Sequence, residues 1–206
     1  RYARNLANGL GLVYNAGERI EGYTNFLFTC LLAAAIKLGL DPDLTAKLVG
    51  AASTLGTIAC TFAISSRLSP LRAVPVFATW LLAGSVVTTG YSVFGLETSF
   101  FVFFILLATW LFLRERDAPE AFPWSGAALA LAGLTRPEAP MFAGLLMLFL
   151  AGKLPEPGAK KPHLLAPVLA LFEKRNLVRA ALFLVPVAAH FVFRRAYYGA
   201  WLPNTF

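Results

Sequence analysis

Seven apolar runs of this chain, each 13 residues or longer, carry no Asp, Glu, Lys or Arg: 24–36, 48–66, 73–96, 98–113, 121–135, 139–152 and 180–193. Short links holding charges or prolines separate them. Apolar residues make up 58% of the 206 positions and charged residues only 14%. A globule burying this much Leu, Ala, Val and Phe would lack the polar side chains to cover its surface. The pattern predicts an all-α, polytopic transmembrane helix bundle, because only helices and closed barrels satisfy their backbone groups within lipid. It excludes a secreted disulfide scaffold and a disordered chain. The net charge of +7 does not point to nucleic acid. Its basic residues stand at the ends of apolar runs, where membrane lipid headgroups account for them. Cys30 and Cys60 lie within apolar runs without CxxC spacing and read as small core residues.

A hydrocarbon layer of about 30 Å takes roughly 20 helical residues. Runs 48–66 and 73–96 meet that length, and 98–113 meets it if its helix extends back toward Tyr91. Runs 121–135 and 139–152 read as a hairpin of two short helices about Arg136-Pro137-Glu138. The stretch 153–179 carries six Lys or Arg around an apolar patch and suits a basic loop on the anionic inner leaflet. With that loop cytoplasmic, Arg67, Arg72, Arg114, Arg116, Lys153, Lys160, Lys161, Lys174, Arg175 and Arg179 share one side, as the positive-inside bias requires. The chain then reads as one transmembrane domain. Residues 1–47 form an extracytoplasmic loop with a juxtamembrane helix at 24–38 lying along the outer interface. Residues 48–193 hold the transmembrane helices, and 194–206 begin another extracytoplasmic loop. The alternative, with 24–39 spanning, moves Arg67, Arg72, Arg114 and Arg116 outside together.

Polar residues the loops do not explain gather on the outer side: Arg1, Arg4, Asn5, Asn8, Asn15, Glu18, Glu21, Tyr23, Asn25, Glu97, Arg136, Glu138, Arg194, Arg195 and Asn204. Ionisable groups at a bilayer face a cavity and are paired or functional. Arginine's planar fork suits phosphate oxygens, and a carboxylate suits the work of a general base. Each residue has a plain structural reading beside the functional one. Arg136 and Glu138 fit a polar turn around Pro137. Glu97 fits the first turn of a helix, where the dipole favours a carboxylate. Arg194 and Arg195 fit headgroup anchors beside Tyr197, Tyr198 and Trp201. Asn8-Gly9-Leu10-Gly11 reads as a turn, His163 belongs to the basic loop, and His190 on an apolar face reads as a hydrogen-bonded structural histidine.

The segment running from Arg1-Tyr2-Ala3-Arg4-Asn5 through Asn15, Glu21-Gly22-Tyr23-Thr24-Asn25 to Phe26-Leu27 resembles the first extracytoplasmic loop of a family of GT-C membrane glycosyltransferases. The resemblance is to the arabinofuranosyltransferases that use decaprenyl-phosphoarabinose. Gly95-Leu96-Glu97-Thr98, Leu134-Thr135-Arg136-Pro137-Glu138, Tyr197-Tyr198-Gly199 and Leu202-Pro203-Asn204-Thr205-Phe206 follow in the same order. The resemblance implies a GT-C-like bundle in a bacterial-type plasma membrane, with its site outside. It implies inverting transfer of a sugar from a polyprenyl-phosphate donor to a cell-envelope glycan, lipid or protein acceptor. The family's opening acidic pair stands a few residues before the segment that begins here at Arg1. The main base is therefore expected upstream of Arg1, and the chain is expected to be a piece of a longer polypeptide, inactive alone.

Within the chain, the resemblance and the charges nominate Glu21, Glu97 and Glu138 as the acidic candidates. Arg4, Tyr23, Asn25, Arg136, Arg194, Arg195 and Asn204 are the candidates for holding substrate. No cofactor is expected. A divalent metal occurs in the superfamily, but no clustered ligand spacing supports one here. A transporter or flippase of a lipid-linked or anionic substrate is the alternative, although the sequence carries neither repeated halves nor matched broken helices.

Overall fold

Among the described residues three helices are long and apolar enough to cross a membrane: Pro42–Leu68, Thr98–Asp117 and Lys174–Tyr198. The computed structural model describes residues 1–118, 120–150 and 170–204. In chain order its helices are α1 (Tyr2–Ala7), α2 (Phe26–Lys37), α3 (Pro42–Leu68), α4 (Ala73–Ala83), α5 (Val86–Val93), α6 (Thr98–Asp117), α7 (Trp124–Thr135), α8 (Ala139–Leu150) and α9 (Lys174–Tyr198). No strand occurs among the described residues.

Local chemistry sets the element ends. Asp41 caps α3 by accepting a hydrogen bond from Leu44 N at 2.7 Å, and Pro42 occupies the first helical position, where its missing N–H costs nothing. Arg136 ends α7 in the extended conformation that a following proline favours. Gly199 closes α9 with φ of 75°, a left-handed conformation that glycine adopts without penalty.

The structure departs from the sequence expectation in four places. Run 73–96 is not one continuous helix: α4 and α5 are bent by 56° at Gly84-Ser85, a broken span or a re-entrant pair. Ser85 is extended and its Oγ accepts from Thr88 N at 3.4 Å, so a polar N-cap restarts the helix within charge-free sequence. Helix α6 does not reach back to Tyr91. It starts after Gly95, which has a positive φ, and gains its length forward to Asp117. The first long helix starts at Pro42 rather than 48, carrying Asp43 and Lys47 in its opening turns. Lys174, Arg175 and Arg179 stand on α9 rather than in a loop, and Arg179 is fully buried rather than turned to headgroups. The rest of the expected basic loop, with Lys153, Lys160, Lys161 and His163, lies outside the described residues.

Helices α3 and α6 run side by side in the same direction, since Gly56 meets Phe103 and Arg67 pairs with Asp117 farther along. Helices α7 and α9 return together, Gly126 against Arg179 and Gly133 against Val187. The core lies where α6, α7 and α9 meet: Ala108, Ala128, Leu129, Ala130 and Ala143 with Phe183 and Val187. Alanines and glycines let the backbones approach closely, the usual device where lipid supplies no hydrophobic drive between helices. Gly126 is the tightest point, because an added Cβ would run into the Arg179 backbone carbonyl and reach Leu182 Cβ at 3.0 Å. Gly126→Ala should therefore destabilise the bundle by about 1–3 kcal/mol, measured as a lower melting temperature in detergent.

This arrangement gives the bundle two polar ends. One gathers α1, α2, the 8–25 loop, Glu97, the Arg136–Glu138 turn and the end of α9. The other gathers Arg67, Arg114, Glu115, Arg116, Asp117, Asn176 and Arg179. Glu97 and Glu115 are 18 residues apart along α6, about 27 Å at 1.5 Å per residue, close to a hydrocarbon thickness.

Candidate functional site

At the first end, the 8–25 loop is pinned by Asn5, whose amide donates to the Val13 carbonyl at 2.8 Å and the Tyr14 carbonyl at 2.9 Å. Gly22 N donates to the Tyr2 hydroxyl at 2.8 Å, and that hydroxyl donates to the Ile20 carbonyl at 2.9 Å. The chain between those anchors carries Glu21 inward, where Arg194 Nε donates to its Oε2 at 2.8 Å. Only 6% of the Arg194 side chain and 3% of the Glu21 side chain remain exposed. Burial pushes the Glu21 carboxyl above its ordinary range, while the Arg194 hydrogen bond and charge oppose the shift. The pair borders a cavity of about 40 Å³ whose walls include Glu21, Thr24, Gly133, Pro137, His190, Arg194 and Pro203.

Pro137 belongs to the neighbouring cluster. Arg136 Nη2 donates to Glu138 Oε1 at 2.9 Å and its Nε to Oε2 at 3.3 Å, while Nη1 reaches Glu97 Oε1 at 3.3 Å. Asn25 Nδ2 donates to the other Glu97 oxygen at 3.1 Å, and Thr29 Oγ1 fixes Asn25 by donating to its Oδ1 at 3.0 Å. Glu97 is thus the N-cap residue of α6 without a side-chain cap bond, its carboxylate turned instead to α2 and the α7–α8 turn. The Arg136 hydrogen bond holds the Glu138 carboxyl below its ordinary 4.5. This half-exposed link is complete above that pH and is lost as pH falls through the lowered value.

Tyr23 and Tyr198 form a third layer. Their hydroxyls lie 3.2 Å apart, and Tyr198 donates to the Leu12 carbonyl at 2.7 Å. Burial, then the Tyr198 hydrogen bond, pushes the Tyr23 phenol well above the usual tyrosine range, so it remains protonated. Asn204 is exposed, and its backbone N–H donates to the Glu21 carbonyl at 2.7 Å. A groove of about 450 Å³ runs here between Arg19, Ile20, Glu21, Tyr198, Leu202 and Asn204.

The structure brings Glu21, Tyr23, Asn25, Glu97, Arg136, Glu138, Arg194 and Asn204 to one end, up to 183 residues apart in sequence (204 − 21). Arg4 is exposed on α1, outside the walls of either cavity. Arg195 is exposed as well. Its guanidinium donates to the Gly199 carbonyl and lies over the Trp201 ring, finishing its own helix end. Sequence reasoning passed over Arg19, whose guanidinium lies 4.9 Å from the Tyr197 ring centre at the groove; His190, read there as a hydrogen-bonded structural histidine, stacks on Phe26 with ring centres 4.3 Å apart. It also missed a buried network at the opposite end. Glu115 accepts from Ser125 N at 2.8 Å, Ser125 Oγ at 2.6 Å and Arg179 Nη2 at 2.9 Å. Among the described residues no three His, Cys, Asp or Glu side chains are grouped so as to hold a metal ion.

A bundle of apolar spans with an ion pair buried toward each end is an integral membrane protein, here an all-α polytopic one. Over 222 aligned positions the chain is 27% identical to the terminal β-(1→2)-arabinofuranosyltransferase of Mycobacterium tuberculosis. That match takes in all of this chain and 32% of the relative, so the chain spans about a third of the length of the curated protein it matches. It supports a relationship to glycosyltransferases. No protein-family model matches the chain, and no solved structure matches it significantly.

Proposed function

We propose that this chain supplies the substrate-phosphate end of a membrane glycosyltransferase. The enzyme moves a sugar from a polyprenyl-phosphate donor to a cell-envelope glycan, lipid or protein on the outer face of a bacterial-type plasma membrane. The observation that carries the reading is the buried Glu21–Arg194 pair beside the Glu97–Arg136–Glu138 cluster. Four separate chain segments converge there to hold two arginines in fixed orientation. The end bearing Arg67, Arg114, Arg116 and Arg179 would be cytoplasmic by the positive-inside bias, which sets the site outside.

The chemistry is a displacement at the anomeric carbon: the acceptor hydroxyl attacks, its proton leaves to a base, and the lipid phosphate departs. Charge develops on the phosphate oxygens, and pre-oriented guanidinium donors at a dry interface stabilise it without rearranging. Glu21, Glu97 and Glu138 each hold an arginine. With their oxygens taken up by arginine donors, these three suit orienting work rather than proton abstraction.

The test is transfer of radiolabelled sugar from a synthetic polyprenyl-phosphate donor by membranes containing the natural-length protein. Transfer should occur with that donor and not with a nucleotide sugar alone. Arg136→Lys keeps the charge but loses the fork that meets Glu138 twice and Glu97 once, and it should slow transfer roughly ten- to a hundredfold. Unchanged turnover would remove Arg136 from the site. Transfer from a nucleotide sugar alone would remove the donor class.

The bend between α4 and α5 is the feature favouring a transporter, since discontinuous helices build transport sites. Among the described residues it has no second, matching broken pair. Movement of a lipid phosphate across proteoliposomes without sugar transfer would select that reading.

A further inference from the structure

Four buried side-chain polar atoms lack a hydrogen-bond partner among the described residues: Thr57 Oγ1, Arg116 Nη1, His190 Nδ1 and Arg194 Nη2. Two of the four come from His190 and Arg194, residues that both line one cavity. They stand one turn apart on α9, where positions i and i+4 share a face. A buried polar atom left unpaired is costly, and Arg194 Nη2, which can only donate, beside His190 Nδ1, which donates in one of the ring's two neutral tautomers, suits a place that takes acceptor oxygens.

The rest of the geometry fits that use. Arg194 is held through Nε by Glu21, which fixes the guanidinium plane and leaves Nη2 over. The His190 ring is fixed by Phe26, and by Phe193 with ring centres 6.3 Å apart. The cavity, about 40 Å³, admits the oxygens of one small group but not a sugar ring. Its walls share Glu21 and Pro203 with the groove of about 450 Å³ that Arg19, Tyr198 and Asn204 line.

We propose that His190 and Arg194 form a two-donor pocket for the anionic oxygens of a phosphate ester, the group it carries lying in the adjoining groove. His190 is then a substrate-contacting residue and presents Nδ1–H to the phosphate. The assignment rests on the donor class argued above.

The experiment is calorimetric titration of the natural-length protein in detergent with farnesyl phosphate, farnesol and inorganic phosphate. Three histidine variants separate the causes. His190→Phe keeps an aromatic ring for Phe26 but has no nitrogen. His190→Asn places an amide where Nδ1 stood, and His190→Gln places one farther out. Farnesyl phosphate should bind at least tenfold more tightly than farnesol. His190→Phe and His190→Gln should weaken it roughly tenfold, and His190→Asn should stay within about threefold of the wild type. Competition by inorganic phosphate alone would assign the pocket to a free anion rather than to a lipid headgroup, with the His190 dependence unchanged. Equal binding of farnesyl phosphate and farnesol, the result of a cavity holding water only, would overturn the proposal. So would His190→Phe binding within twofold of the wild type, or His190→Asn losing as much as His190→Phe. Sugar transfer is scored separately: a His190-dependent phosphate site in a protein that transfers no sugar would sink the function and leave the pocket standing.

Discussion

Arg194→Met is expected to abolish measurable sugar transfer and to destabilise the bundle at the same time. A second substitution tells the two effects apart. Arg194 and Glu21 are nearly fully buried and bonded at 2.8 Å. Removing the arginine leaves a carboxyl uncompensated in a low-dielectric site, which typically costs about 3–5 kcal/mol, and the melting temperature in detergent should fall accordingly. Glu21→Leu combined with Arg194→Met removes both polar groups. Replacing a whole buried pair by apolar side chains of similar size is often neutral, so the double variant should melt close to the wild type. Transfer should not recover with it. A fixed donor aimed at developing oxyanion charge contributes about 10²–10³-fold, and the double variant lacks it. Recovery of both stability and turnover would make the pair a structural pin and would end its assignment to substrate.

Much of this end of the molecule was legible because turns need particular residues. Arg136-Pro137 announced a helix boundary, and a boundary between apolar runs collects charges at a membrane surface. The partners within that end were less legible. Glu97 reads equally well as a helix-start carboxylate, and only the tertiary approach of Asn25 and Arg136 gives it another role. The break in run 73–96 left no trace in hydropathy, since both halves are apolar. Its one local signal was Ser85, a capping residue after a glycine. His190 was misread for a related reason. A histidine on an apolar face is expected to find a partner, and whether Nδ1 does so depends on residues from four other segments. Arg179 shows the same limit in reverse. Hydropathy and the positive-inside bias see a cation near a basic stretch, whereas the fold pairs it with Glu115, 64 residues earlier.

That buried network sets the second large expectation. Arg179 donates to Glu115 Oε2 at 2.9 Å and to Ser125 Oγ at 2.7 Å, bonds Asn176, and lies 3.9 Å from the Phe112 ring centre. It is 1% exposed, so no solvent screening weakens these contacts. Arg179→Met should therefore cost about 3–5 kcal/mol, as much as the loss of Arg194, because Glu115 would be left buried with only Ser125 to satisfy it. Ser125→Ala should cost less, about 1–3 kcal/mol, since the ion pair survives it. The functional outcome should differ from that at the other end. Arg179 and Arg194 are 15 residues apart on one helix, about 22 Å at 1.5 Å per residue. No member of this network lines either cavity at the proposed site. Per folded molecule, transfer by Arg179→Met should match the wild type within about twofold, even though far less folded protein accumulates. The measurement is turnover normalised to the monodisperse fraction recovered in detergent. If the normalised rate instead falls as far as it does for Arg194→Met, the two ends of the bundle are energetically coupled, and the division between a structural pole and a substrate pole is wrong.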